Sequence, residues 1–200
     1  MIPLSTRMRP LDLDEFVGQE HFMYTGSLLY NAIKNKTFDS AIFFGPSGTG
    51  KTTLARIVAG EMDSDFVEIN AGVSGTKELK EIIGAAKTKF FGLQKEKTYL
   101  YVDEFHRWNK LQQDSLLKAL EEGVLRFIGS TTQNPYFAIN NAVLSRVRSI
   151  YEFRPLSVGN ILVLLKRTLD DKERGFGSLK IQYDEKALRN LADMSEGDAR

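Results

Sequence analysis

The sequence contains no cysteine, which excludes disulfides and thiolate metal sites and suits a reducing cytoplasm. Charge of either sign is hardly in excess: 27 Lys and Arg against 26 Asp and Glu leave a net charge of +1. Whole-chain charge therefore argues neither for nor against a polyanionic partner, and any such contact must come from local clustering. No apolar run approaches the ~20 residues needed to span a bilayer. The first seven residues lack the apolar core of a signal peptide, so no membrane partner is expected. There are only two histidines, and His106 has no second nitrogen or thiolate ligand near it in sequence, which argues against a metal role. Internal repeats and low-complexity tracts are absent. What remains is ordinary for a chain with a real core: 42% hydrophobic and 26% charged residues in a length of 200, enough for one large domain or a domain and a half.

Against that background one stretch stands out. Gly45-Pro46-Ser47-Gly48-Thr49-Gly50-Lys51-Thr52 reads G-x-x-x-x-G-K-[ST], the phosphate-binding P-loop. The apolar run Ala41–Phe44 ahead of it reads as a buried strand, and Thr53–Ala59 behind it as a helix. Strand, glycine-rich loop and helix aim backbone N–H groups and a helix N-terminus at an anion. The glycines permit positive φ and close backbone approach. Lys51 supplies a point charge to β/γ-phosphates, and the Thr52 hydroxyl is a hard oxygen ligand for Mg²⁺.

Taken in order, residues 1 to 19 are mostly irregular, broken by Pro3 and Pro10. A helix is predicted over Glu20–Lys34, with Phe22, Met23, Leu28, Leu29, Ala32 and Ile33 on one face. Phe66–Ile69 is a second strand, ending at Asn70. A helix over Lys77–Phe91 opens a charged stretch, with Lys77, Lys80, Lys87, Lys89, Lys95 and Lys97 set against Glu78, Glu81 and Glu96. This reads as a solvated face with i,i+4 pairing; the alternative is a surface turned toward a polyanion.

Thr98–Val102 is a third strand that runs into Asp103-Glu104. In P-loop proteins an apolar strand ending in Asp sets that carboxylate beside Mg²⁺. The Glu next in sequence can face the attacking water and act as its base. A helix comes next over Lys110–Glu122, stopped by Gly123. Trp108 reads as packing or partner contact. Phe127–Thr132 is a fourth strand, and a polar residue at its end would lie beside the acidic strand end, within reach of a γ-phosphate. Ala138–Leu144 reads as a short helix and Ser149–Phe153 as a fifth strand. Beyond Arg154-Pro155 the chain turns helical: Val158–Lys172 with Ser157 as N-cap, then Asp184–Met194 with Leu188 and Leu191 buried. The chain stops at a plausible helix start, Gly197–Arg200, which suggests a fragment of a longer protein. Strands alternating with helices imply a parallel sheet with helices on both faces and a ligand at the strands' carboxyl ends. The P-loop, Asn70, Asp103-Glu104 and Thr131-Thr132 all fall there.

Together with Ser145-Arg146 and a terminal Gly-x-x-Arg, these motifs resemble an AAA+ ATPase. Arg7-Met8-Arg9-Pro10 and Leu13–Gln19 are similar to the adenine-side box of clamp-loader and RuvB-type members. More narrowly, Val102–Asp114, Ile128–Pro135 and Leu144–Arg148 resemble the signatures of the RarA/MgsA (WRN-interacting ATPase) family. Ser47, Phe105, Trp108 and Val147 depart from the family pattern, and none of them removes a group with a chemical role. The resemblance covers essentially the whole chain. It implies an AAA+ P-loop NTPase fold, a five-stranded parallel sheet sandwiched by helices and followed by the start of a helical lid. Residues 1–154 would be the nucleotide-binding domain and 155–200 a partial lid, with a C-terminal oligomerisation domain outside the chain.

The resemblance also implies a cytoplasmic, nucleoid-associated, Mg²⁺- and DNA-dependent ATPase of stalled or damaged replication forks. Fork, gap or end structures of DNA, single-stranded-DNA-binding protein and a homotetramer are the implied partners, this chain alone being expected as a monomer. In site roles, Lys51 and the loop Gly45–Thr52, with Thr53, hold the phosphates. Thr52 and Asp103 hold Mg²⁺, Glu104 activates water, and Thr132, or Thr131, senses the γ-phosphate. Val17, Gly18 and Gln19 lie against adenine. Arg146 reaches a neighbouring subunit's site as an arginine finger, its plain alternative being a surface arginine before a strand. Arg200 is the sensor 2 candidate, and Asn70 is a candidate brake on Glu104. The competing readings are a clamp-loader subunit, a RuvB-type branch-migration motor, or a binding module switched by ATP without turnover.

Overall fold

A computed structural model of the chain describes residues 2–92, 97–179 and 181–200; Lys95 and Glu96 of the charged stretch lie outside the described residues. Chain order is α1 (Leu4–Arg7), α2 (Leu28–Lys34), β1 (Ala41–Phe44), α3 (Lys51–Glu61), β2 (Asp65–Asn70), α4 (Thr76–Phe91) and β3 (Thr98–Asp103). A 3-10 turn (Phe105–Arg107) comes next, then α5 (Lys110–Glu121), β4 (Leu125–Thr131), α6 (Pro135–Ala138), α7 (Asn141–Leu144), β5 (Ser149–Glu152), α8 (Val158–Asp170) and α9 (Glu185–Met194). The strands form one parallel sheet in the order β2-β3-β4-β1-β5.

Alternation along the strands divides two cores between the faces of the sheet. Leu100, Val102, Ile42 and Phe127 join Leu79, Ala86, Leu116 and Val143 on the face covered by α4, α5 and α7. Tyr99, Tyr101, Ala41 and Phe43 join Leu29, Ile33, Leu54 and Val58 on the face covered by α2 and α3. Because both faces are covered, the strands read as continuous apolar runs. Tyr101 and Asp103, two residues apart, point to the α3 side. A third cluster, Leu156, Ile161 and Ala192, lies between α8 and α9.

Helix ends obey side-chain chemistry. Asn109 and Gln112 make a capping box at α5, and Ser157 and Asn160 make another at α8. After α5, the Gly123 and Val124 N–H groups donate back to the Leu120 and Ala119 carbonyls, and Gly123 takes φ +69°.

Several sequence expectations require correction. The helix predicted over Glu20–Lys34 exists only from Leu28. Gln19 has φ +64° and Gly26 φ +93°, and His21 and Phe22 are drawn onto β5, His21 bonding the Glu152 carbonyl and Phe22 packing on Tyr151 and Phe153. Tertiary anchoring thus overrides the helical periodicity. The helix expected over Ala138–Leu144 is two short ones, because Asn140 breaks it. Asn140 caps α7 at Ala142 and bonds Gln113 and Asp114 of α5. Leu191 is 56% exposed rather than buried, since Leu188 and Ala192 form the packed face of α9. The opening segment is mostly irregular as expected, with one helical turn at Leu4–Arg7.

Candidate functional site

Four strand ends meet at one edge of the sheet. Register sets Asn70 opposite Asp103, Val102 opposite Gly129, and Phe44 opposite Thr131. The P-loop leaves β1 here, and its first N–H, from Gly45, donates to the Thr131 carbonyl at 3.0 Å. Gly45, Gly48 and Gly50 all take positive φ, and Gly50 is the N-cap of α3. Gly45 also has no room for a side chain, since a Cβ would fall 2.0 Å from the Phe153 carbonyl.

Lys51 begins α3 and is nearly buried. Its ammonium donates to the carbonyls of Gly45 at 2.9 Å and Pro46 at 2.6 Å, leaving one N–H for a further acceptor. Burial holds its pKa below the usual lysine value, opposed by Asp103 and Glu104. Thr52 and Asp103 are linked through Tyr101, a group that the sequence motifs do not single out. The Tyr101 hydroxyl lies 2.9 Å from Thr52 Oγ1 and donates to Asp103 Oδ1 at 3.3 Å, while the Ser130 hydroxyl donates to the same oxygen. Burial raises the pKa of Tyr101, so it stays a neutral phenol. The period-2 relation of Tyr101 to Asp103 is the signal in the sequence that could have found it. Two hard oxygen donors side by side suit Mg²⁺.

Glu104 turns out of β3 with φ +54° and ψ +41°, the left-handed region that costs a side-chain-bearing residue about 1–2 kcal/mol. Phe105, fully buried against Trp108 and Phe127, anchors the 3-10 turn that begins after Glu104. Trp108 is a packing residue whose indole donates to the Ser74 carbonyl.

These groups border a cleft of about 830 Å³. Ser47 through Thr53, Asp103 and Glu104 form its polar floor, while Met8, Pro10, Phe16, Val17 and Leu164 form an apolar wall, with the half-exposed Leu191 nearby. Volume and lining suit a ligand with one flat apolar end and one anionic end. Arg200 also borders the cleft, its guanidinium held by Asp198. Asp198 lies over Gly48, and the Ala199 N–H donates to the Gly48 carbonyl. Asp198, at an unspecified position of the terminal Gly-x-x-Arg, has a lowered pKa from its Arg200 bond.

Other sequence-predicted residues are placed differently. The Gln19 side chain bonds the Thr49 carbonyl and both backbone groups of Arg154, tying the P-loop to the chain after β5. Gly18, at φ +88°, packs against Leu156. The Asn70 side chain accepts from the Gly72 N–H, a local turn contact rather than a hold on Glu104. Thr132 is exposed one residue past β4, whereas Thr131 is buried. Arg146 does not line the cleft; it bonds Glu121, the Ala142 carbonyl and Ser145.

Residues 8–140 match the family described as the Holliday junction DNA helicase RuvB P-loop domain. The chain is 43% identical over 198 residues to replication-associated recombination protein A of Haemophilus influenzae, covering 99% of this chain and 44% of that protein. It is 41% identical over 199 residues to ATPase WRNIP1 of Dictyostelium discoideum, covering 99% of this chain and 22% of that protein. The solved structure of Thermotoga maritima RuvB T158V superposes with a TM-score of 0.77 at 26% identity, over 97% of this chain and 62% of that one. The chain thus spans less than half the length of these curated relatives.

Proposed function

Because the chain belongs to the RuvB P-loop domain family of AAA+ ATPases, in the group of replication-associated recombination protein A, we propose that it carries the ATP-hydrolysing site of a protein acting in replication-linked recombination. The observation that carries this reading is the gathering of Lys51, Thr52, Asp103 and Glu104 around one cleft at the carboxyl edge of the sheet.

Lys51 and the loop N–H groups from Gly45 to Thr52, with Thr53 beside them, hold the phosphates. Mg²⁺, when bound, neutralises charge on the β- and γ-oxygens; Thr52 and Asp103, bridged by Tyr101, are the residues that would hold it. Glu104 takes a proton from water as the water oxygen bonds the γ-phosphorus and the bond to the β,γ-bridging oxygen breaks, leaving ADP and phosphate. Thr132, exposed one residue past β4, reads the γ-phosphate, and Arg200 approaches it when released from Asp198. The wall at Phe16 and Val17, with the Gly18 and Gln19 backbone behind it, takes the adenine. Residues 155–200 are the first part of a lid over this cleft, and Arg146 serves a neighbouring subunit's cleft. Lys51→Ala should abolish ATP binding by fluorescent-nucleotide titration. Glu104→Gln should bind ATP normally and lose about 10²–10⁴-fold in turnover. Retained binding in the first, or retained turnover in the second, rejects the assignment.

At the level of the whole protein, the reading is a homotetrameric, DNA-stimulated ATPase working at forks, gaps or ends in the cytoplasm beside single-stranded-DNA-binding protein. It is supported by the identity to replication-associated recombination protein A over the whole chain. A second reading, a branch-migration motor, is favoured by the likeness to a RuvB structure described as a Holliday junction branch migration motor. ATPase rates against gapped, forked, blunt and four-way-junction DNA separate them. Stimulation by the junction alone selects the motor, and indifference to all DNA removes both.

A further inference from the structure

We propose that His106 is a positioning residue for Glu104, fixing its carboxylate and tying it to the end of β4. The inference rests on Glu104 as the base of the proposed hydrolysis. Glu104 leaves β3 in a left-handed conformation, so regular strand geometry does not aim its side chain. Among the described residues, the group that meets its carboxylate is the His106 ring, with Nε2 3.3 Å from Oε2. Asn70, the other polar candidate at this edge, has its Oδ1 engaged by the Gly72 N–H.

The far side of the ring is equally determined. His106 Nδ1 lies 2.9 Å from Thr131 Oγ1, and that oxygen accepts from the Gln133 N–H at 3.0 Å. A carboxylate can only accept, so the neutral tautomer that suits this contact carries its hydrogen on Nε2, facing Glu104 Oε2. Nδ1 is then an acceptor for the Thr131 O–H, which is nearer to it than to the Gln133 carbonyl at 3.3 Å. The His106 side chain is 11% exposed and Thr131 1%, so water competes weakly for these bonds. The ring is held in register by its backbone: Phe105 and Trp108, on either side in sequence, are both core residues. Thr131 in turn receives the Gly45 N–H on its carbonyl. A continuous path therefore runs from the start of the P-loop through Thr131 and His106 to Glu104. A shift of β4 or of the loop moves the carboxylate that faces the water.

The test uses the assembled protein and two isosteres. The amide N–H of glutamine overlays Nε2, and asparagine overlays Nδ1. His106→Ala should lower kcat by about 10–100-fold, the usual size for loss of an orienting partner, with KM and nucleotide Kd changed by less than about twofold. His106→Gln should recover most of kcat and His106→Asn little. Thr131→Val should lower kcat less than His106→Ala and add nothing when combined with it. Wild-type kcat in His106→Ala, equal rescue by both isosteres, or additive loss in the double variant overturns the proposal. Glu104→Gln is measured in parallel. If it is inactive while His106→Ala is normal, the positioning role alone fails. If it turns over normally, the assignment of Glu104 falls and the positioning role falls with it.

Discussion

Two residues hold backbone conformations that their surroundings impose. Glu104 is in the left-handed region without being glycine, at the strand end where the acidic pair stands. Such strain persists only where neighbours over-determine it, here Phe105 and Trp108 in the core and the Thr131–His106 contact. Gly45 is the converse, where a side chain has neither an accessible φ nor space. Gly45→Ala would drive a Cβ into the Phe153 carbonyl, which cannot yield because Phe153 N–H pairs with the Phe44 carbonyl. The expected loss is about 2–4 kcal/mol of stability by urea denaturation, in line with strain at special backbone positions. A change within 0.5 kcal/mol would show that the loop relaxes freely. In sequence terms Gly45 was legible from the motif alone. The left-handed turn at Glu104 was not, because only the packing of Phe105 demands it.

Among the elements, α8 and α9 are the ones whose seat depends on polar contacts. Their shared cluster is small, and α8 is fixed to the opening segment by charge. Arg167 donates to the Glu15 carbonyl, and Arg174 bridges Glu15 and Asp171. Both carboxyls have pKa values below their ordinary 4.5 and 3.8, Glu15 chiefly from its bond to Arg174 and Asp171 chiefly from the Arg174 backbone N–H. Depressed folded values mean that ionised carboxylates favour the native state. That contribution is complete above the unfolded pKa values and is lost as pH falls through the folded ones. Arg174→Met should therefore be less stable than the parent at pH 7, with the gap closing as pH falls below the ordinary Glu15 value and through its lowered folded one. A gap independent of pH would mean that packing, not charge, is what Arg174 supplies. At the start of α8, Ser157→Ala removes half of a capping box and should cost about 1 kcal/mol by chemical denaturation. Ser157 was readable in advance as the N-cap of α8. The loss of helix before Leu28 was not, because the alternative partners of His21 and Phe22 lie on β5, over a hundred residues away.

At the scale of the whole molecule, Arg146 is not among the residues bordering the cleft and is paired with Glu121. If Arg146 completes a neighbour's site, Arg146→Ala and Lys51→Ala proteins should each be inactive in ATP hydrolysis. Mixed and allowed to exchange subunits, they should regain part of it, since each supplies what the other lacks. No recovery on proven co-assembly would return Arg146 to the role of a surface ion pair.

The sequence by itself determined the P-loop, the acidic strand end and the parallel sheet. Each of these is a local pattern with a local physical cause: positive φ for the loop glycines, apolar runs for strands buried on both faces. Tertiary structure alone decided which side chains meet the residues of these motifs. Tyr101 stands between Thr52 and Asp103, His106 between Thr131 and Glu104, and Asp198 between Gly48 and Arg200. Those meetings depend on strand register and on chain segments up to about 150 residues apart. Each has a local half, two residues apart, but no periodicity encodes the distant partner, because contacts at such separations are set only once the sheet has closed.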